Sequence, residues 1–306
     1  MENFRLTTPV LFIIFNRPDT TVRVFEQIRK AAPPKLYIAA DGPRTGIPGE
    51  AERCREAREI IKKIDWPCEV KTLFRDENLG CRLGAAGAVT WFFSQEPEGI
   101  VLEDDCLPEP SFFRYCQETL IKYRDDRRVM MITGDNFKFG KKIGHYSYYF
   151  SRYPSLWGWA SWRRSWDLYD IKMTLWPEIR DNRTLFGIFD APCEVRFWTK
   201  QCQLVYEGKI DTWDYQWNLA NLLNHGITVT PNVNLISNIG FANYASHTHD
   251  AADKHANMAT EAMAFPLFHP PFVARNAVAD RETFQASHYV PLLKRVCRKI
   301  KTLLKK

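Results

Sequence analysis

The chain has 306 residues, 45% hydrophobic and 14% aromatic, with 42 Lys or Arg against 36 Asp or Glu and a formal net charge of +6. Such a chain can bury a large core, which excludes a disordered or fibrous protein. The charge balance does not indicate nucleic acid as a partner, because residues 294–306 (KRVCRKIKTLLKK) hold seven of the basic side chains and no acid, leaving 35 basic against 36 acidic over the rest.

No apolar run reaches the roughly 18 residues of a membrane span, and even PVLFIIF is broken after seven by Asn16 and Arg17. No charged segment precedes an apolar one as in a secretory leader, so a cytoplasmic protein is expected. The eight cysteines (54, 68, 81, 106, 116, 193, 202, 297) form no CxxC pair, which argues for reduced thiols and against a zinc knuckle.

In chain order, PVLFIIF (9–15) reads as a strand and 18–31 as a helix opened by Pro18. KLYIAA (35–40) is a second strand, 50–64 a helix, EVKTLF (69–74) a third strand, 83–93 a helix and GIVL (99–102) a fourth strand. Strands alternating with helices predict an α/β fold with a mostly parallel sheet and helices on both faces. Each strand ends in polar residues: Asn16-Arg17, Asp41-Gly42-Pro43-Arg44, Arg75-Asp76-Glu77-Asn78 and Glu103-Asp104-Asp105. In open α/β sheets that edge is where ligands bind.

The triplet Glu103-Asp104-Asp105 is the strongest chemical signal. Carboxylates are hard oxygen donors suited to Mg²⁺ or Mn²⁺, which keep several waters and bridge to substrate phosphates. The plainer reading is that one acid starts the helix of SFFRYCQETLIKY (111–123), but a cap needs one side chain and Ser111 can supply it. There is no GxGxxG after the first strand and no GxxxxGK[ST], so neither a dinucleotide fingerprint nor a P-loop is present.

The second half opens on YPSLWGWASWRRSW, with Trp157, Trp159, Trp162 and Trp166 within ten residues. Gly158 between two of these rings marks a bend, and such rings serve either as core or as platforms for the apolar faces of sugars. In KIDTWDYQW, Asp211 can cap a helix and Asp214 sits in its first turn, where the helix dipole favours an anion. The strand-like ITVTPNVNLISNIGF precedes NYASHTHD, whose His247 or His249 could face a metal, although zinc is disfavoured without cysteine partners or an HExxH frame. Residues 251–288 read as a covering segment. From 289 to 306, Leu293, Val296, Ile300, Leu303 and Leu304 recur at helical spacing opposite basic residues, describing an amphipathic helix that either lies on an anionic membrane surface or packs on the domain.

FNRP, the EDD triplet with the LPEPSFFRYC that follows it, and TWDYQW together resemble the GT-A glycosyltransferases that use nucleotide-diphosphate sugars. The EDD form is most similar to the N-acetylglucosaminyltransferase I group, and FNRP is similar to family 2 enzymes. The resemblance implies a GT-A domain over 1–250, with a nucleotide-binding half at 1–116 and an acceptor half at 117–250. It implies that Asp105 binds the metal, Mn²⁺ or Mg²⁺, with His247 as a further ligand. Glu103, Asp104, Asp41, Arg75, Asn16 and Arg17 would surround the nucleotide-sugar donor, and Trp157, Gly158 and Trp159 the acceptor or sugar. It places the catalytic carboxylate at Asp214, with Asp211 open as the alternative because the spacing differs by one residue. The expected activity is metal-dependent, inverting transfer from a nucleotide sugar, a UDP-sugar by preference, to a saccharide or lipid-linked acceptor of bacterial surface polysaccharide, at the inner face of a membrane. Two other readings stay open: a metal-dependent nucleotidyltransferase or phosphodiesterase, and a non-catalytic nucleotide-sugar-binding module.

Overall fold

The computed structural model describes residues 4–241 and 253–287. Strands and helices alternate through the first half as β1 (Val10–Ile14), α1 (Pro18–Ala31), β2 (Lys35–Ala40), α2 (Glu50–Arg58), β3 (Glu69–Phe74), α3 (Gly80–Gln95) and β4 (Glu98–Glu103). There follow β5 (Cys106–Pro108), α4 (Ser111–Tyr123), β6 (Val129–Thr133), β7 (Tyr148–Ser151), β8 (Trp159–Trp162), α5 (Arg163–Trp166), α6 (Trp176–Asp181), α7 (Pro192–Tyr206), α8 (Asp214–Leu223), β9 (Ile227–Pro231), β10 (Ile236–Asn238) and α9 (Ala277–Ser287).

Local chemistry explains the first of these. Pro18 fixes the φ that a first helical turn requires, Val24, Phe25 and Ile28 bury one stripe of α1, and Ala32 closes the helix in the left-handed region with its N–H returned to the Ile28 carbonyl at 3.0 Å. The helix expected over 50–64 is α-helical only to Arg58 and tightens into a 3₁₀ turn over Glu59–Lys63. In the other direction α3 begins at Gly80, before the expected start at 83, because its first turn is capped from outside the helix as described below.

Eight strands form one sheet in the order β3-β2-β1-β4-β8-β6-β9-β7. The pairs β3–β2, β2–β1, β1–β4 and β6–β9 are parallel, while β8 runs antiparallel to both β4 and β6, and β7 to β9. The architecture is therefore α/β with a mostly parallel central sheet, as the alternation predicted. Since β8 lies between β4 and β6, residues before and after 117 share that sheet.

Strand alternation sorts the core into two layers. Val10, Phe12 and Ile14 of β1 face α1 and α4 in one cluster with Ile100 and Leu102 of β4. Leu11 and Val101 face the opposite way, onto α3 and α8, with Trp159, Trp213 and Trp217. A third cluster joins α6, α7, α8 and α9 through Trp176, Trp198, Leu219 and Phe284.

The tryptophan-rich segment turns into β8 at Gly158, whose φ of +78° few L-residues adopt. A Cβ there would stand 2.4 Å from Ile236 Cδ1, and Ile236 is buried. Gly158→Ala is expected to destabilise the protein by about 2–4 kcal/mol, from backbone strain plus overpacking, seen as a lower urea midpoint at unchanged slope.

Candidate active site

Three carboxylates follow from the phase of β4. Glu103 lies on the same face as Val101, toward α3 and α8, so its side chain enters a cavity of about 300 Å³ at the C-terminal ends of β1, β2 and β4. Asp104, next in the chain, also borders the cavity, and Phe15 N–H donates to it at 2.9 Å. Arg17, just past β1, donates to Asp105 Oδ2 at 2.8 Å and also pairs with Asp104. Burial works against the Arg17 charge, but Asp104 and Asp105 more than offset it and hold the guanidinium charged. Burial and then the charge of Asp105 push the Glu103 carboxyl well above its usual range.

The other walls include Asp41, Arg44, Arg75, Asp211 and the small-residue face of α3, Gly84, Ala85 and Ala88. A side chain at Gly84 would crowd Asp41 at 3.1 Å and one at Gly87 would crowd Arg75 at 2.9 Å, so α3 lies close against both polar groups because these positions are bare. Arg75 is braced by the Gly84 carbonyl at 3.2 Å.

Two acids cap α3 between them. Asp41 Oδ2 accepts the N–H groups of Leu79 (2.9 Å) and Gly80 (3.1 Å), while Asp211 accepts those of Cys81 (3.0 Å) and Arg82 (3.3 Å). The first donors of the helix are thus satisfied, and its N-terminus is not left open to a phosphate. Asp41 Oδ1 is buried with no hydrogen-bond partner among the described residues, an acceptor suited to an N–H of a bound base. Burial raises the Asp41 carboxyl, opposed by the Leu79 N–H and by Arg75.

Asp211 therefore caps a helix, but α3 rather than the helix that follows it in sequence. Gly80, at φ +79°, has no room for a side chain because its Cβ would meet Asp211 Oδ2 at 2.8 Å. Asp211→Ala is expected to cost about 1 kcal/mol, with faster amide exchange at residues 80–82 as the local signature.

Asp214 starts α8, where Thr212 Oγ1 and the Tyr215 N–H (2.8 Å) donate to it. Its charge contributes to the upward shift of Glu103, and Glu103, Asp214, Asp211 and Asp105 all reinforce the effect of burial in raising the Cys81 thiol. The fold has brought Asp214 within electrostatic reach of Glu103.

Two expected contacts are corrected. Asn16 does not line the cavity: its buried amide donates to Glu50 at 2.7 Å, and Glu50, wholly buried, also holds the Arg44 N–H at 2.7 Å, so Asn16 braces the loop instead. Trp159 is 0% exposed among Phe93, Trp166, Trp213 and Trp217 and offers no face to a sugar. Trp157 is half-buried, its N–H on Asp135 at 3.0 Å and its ring against Phe137 and Phe241. Sequence reasoning passed over Arg44, Glu50, Cys81 and Asp135. Only Arg44, in the polar turn after β2, carried a signal. His247, His249 and residues 289–306 lie outside the described residues, and no described helix is long and apolar enough to cross a membrane.

The donor set suits one style of metal binding. Among the described residues Asp105 Oδ1 has one weak contact, from Cys106 Sγ at 3.4 Å, and the Glu103 side chain opens into the cavity. Among the described residues no group of three or more His, Cys, Asp or Glu is arranged as a metal cage. Asp105 with Glu103 would hold Mn²⁺ or Mg²⁺ as such ions are often held, by one or two carboxylates with water and substrate phosphates.

No family model matches the chain, and no curated protein matches it in sequence. Solved structures similar to it include the mannosyltransferase PcManGT from Pyrobaculum calidifontis in complex with GDP-Man and Mn²⁺ (12% identity, 53% of this chain and 46% of that one, TM-score 0.34). Residues 1–349 of TarS from S. aureus (8%, 74% and 58%, 0.41) and mouse xyloside xylosyltransferase 1 (9%, 71% and 81%, 0.33) are similar as well. The chain spans about half the length of the first two. A UDP-glucose pyrophosphorylase complexed with UDP-glucose (12%, 48% and 62%, 0.27) is similar too, so the likeness extends to glycosyltransferase and nucleotidyltransferase structures alike and is one of general fold.

Proposed function

We propose that the protein is a metal-dependent, inverting glycosyltransferase that moves a sugar from a nucleoside-diphosphate sugar, a UDP-sugar by preference, to a saccharide or lipid-linked acceptor. Surface-polysaccharide synthesis at the cytoplasmic face of a membrane is the setting this reading favours. The observation that carries it is one cavity at a sheet edge lined by Asp41, with an oxygen that has no partner among the described residues, Arg75, Glu103 and Asp104, with Asp105 next in the chain and Asp214 within electrostatic reach of Glu103.

Asp41 Oδ1 receives an N–H from the base, and Arg75 and Arg44 add positive charge along the nucleotide path. A divalent cation at Asp105, when bound, offsets negative charge building on the departing diphosphate. Asp214 takes the proton from the acceptor hydroxyl, whose oxygen bonds to the anomeric carbon as the bond to the diphosphate breaks. The N-terminus of α8 favours the ionised form that Asp214 needs as a base. Trp157, with its half-exposed ring, is the acceptor-side platform of this reading.

A panel of nucleotide sugars with Mn²⁺ or Mg²⁺, read by thermal shift and by donor hydrolysis, tests the assignment. One donor at about a hundred times its Kd is expected to raise Tm by about 4 °C and to be slowly hydrolysed. No response to any nucleotide or nucleotide sugar rejects the proposal. Turnover of nucleoside triphosphates without sugar transfer would instead assign the site to a nucleotidyltransferase.

A further inference from the structure

The acid triplet already holds a cation that belongs to the chain. Arg17 joins Asp105 through Nη1 at 2.8 Å and Asp104 through Nη2, with side-chain exposures of 18% for Arg17, 12% for Asp105 and 2% for Asp104. The pair is closed over by the segment after β10: Ile239 N–H donates to the Asp105 carbonyl at 2.8 Å, and a Cβ on Gly240 would stand 2.3 Å from Asp105 Oδ2 and 2.7 Å from Arg17 Nη1. The Arg17 backbone is fixed, because Thr21 N–H (3.0 Å) and Thr21 Oγ1 (2.7 Å) both donate to its carbonyl. Its side chain is the part that can exchange partners, and it already borders the cavity.

Resting on the nucleoside-diphosphate reading of this cavity, the geometry points to Arg17 as an exchangeable counter-cation, drawn from Asp105 onto the diphosphate when a divalent ion takes its place. Arg17 holds Oδ2 of the proposed metal ligand, so a divalent ion arriving alone at Asp105 either shares the carboxylate with this charge-assisted bond or displaces it, and in both cases sits beside a guanidinium whose one remaining partner among the described residues is Asp104. A diphosphate supplies that anion, and guanidinium binds phosphate as readily as carboxylate. Each ligand thus relieves a cost the other meets alone, and by linkage each strengthens the other by the same factor. Asp104 is the fixed end of the exchange: buried and also held by Phe15 N–H, it keeps Arg17 close during the transfer.

The test measures Mn²⁺ binding to the full-length protein from the free-ion electron paramagnetic resonance signal, with and without UDP or GDP. The wild type is expected to bind Mn²⁺ weakly alone and roughly 5–150-fold more tightly with the fitting nucleotide. Arg17→Gln is expected to bind Mn²⁺ alone about tenfold more tightly than wild type, to bind nucleotide more weakly, and to lose most of the coupling. Arg17→Lys, which keeps a charge beside buried Asp104 but not the fork, should fall between the two and serves if the glutamine variant does not fold. If the metal and diphosphate simply bridge each other, removing Arg17 leaves Mn²⁺ affinity unchanged or weaker, and that result overturns the exchange. A wild-type protein that binds neither Mn²⁺ nor nucleotide overturns the reading of the cavity itself, so the two failures are distinct.

Discussion

Asp105→Asn is expected to abolish metal-dependent stabilisation by nucleotide and to lower turnover by roughly a thousandfold or more, the scale of the several kcal/mol that a metal ion supplies to a departing phosphate. The substitution is nearly isosteric. Asparagine still accepts from Arg17 through its oxygen and fits beneath Gly240, where the space beside Asp105 Oδ2 admits no Cβ. The fold should therefore persist, and the change falls on the charge available to a cation. With that charge gone, Asp104 remains tied to Arg17 and Phe15, and Glu103 is left to hold the metal from a position where burial disfavours its ionised form. Thermal shift with nucleotide at several Mn²⁺ concentrations checks the first half of the expectation and donor hydrolysis the second. Retention of the metal-dependent shift by the variant would remove Asp105 as the metal ligand and move attention to Glu103.

Most elements of residues 9–123 were legible because they are specified locally; β5, which pairs with β10, and the start of α3, capped by Asp211, were not. Apolar runs such as VLFII and KLYIAA end in polar or Gly-Pro turns, and α1 carries its own start signal in Pro18, so the boundaries of α1, β2 and β3 agree with the sequence reading. Beyond Tyr123 the strands are short and paired across long separations. Nothing in WASW shows that β8 will insert antiparallel between β4 and β6, yet that insertion buries Trp159 and leaves Trp157 half-exposed. Local pattern identified the tryptophans but could not divide them between core and site. The same limit applies to Asp211, whose partners Cys81 and Arg82 lie about 130 residues earlier in the chain. Spacing within KIDTWDYQW gave it a helix to cap and chose the wrong one. Asn16 and Glu50 illustrate the converse: a buried amide and a buried carboxylate each require a partner, and only the folded chain shows that each satisfies the other.

Separating Asp214 from Asp211 is the second large expectation, and the structure sharpens it. Both Asp211 oxygens accept N–H groups of α3, whereas Asp214 opens α8 within electrostatic reach of Glu103 and Cys81. Asp214→Asn keeps the size of the side chain and an oxygen for Thr212 and Tyr215, but an amide cannot take a proton at neutral pH. Transfer should fall by roughly a hundredfold or more, the usual scale for losing a general base, while nucleotide and metal affinities stay within about twofold. Asp211→Asn should do the reverse in kind: its remaining oxygen still caps α3 in part, so transfer persists while stability drops by a fraction of the roughly 1 kcal/mol expected for full removal. Nucleotide affinity should weaken with it, since the capped turn of α3 walls the cavity. A pH profile of transfer adds a readout that a merely structural residue would not move: the acid limb belongs to the base and should disappear from the residual activity of Asp214→Asn while surviving in Asp211→Asn. If Asp211→Asn is the variant that loses transfer while Asp214→Asn works at near wild-type rate, the base lies on the carboxylate that caps α3. If both transfer sugar normally, the DTWDYQW segment is scaffold alone, and direct displacement assisted by a carboxylate from α8 is the wrong mechanism for this protein.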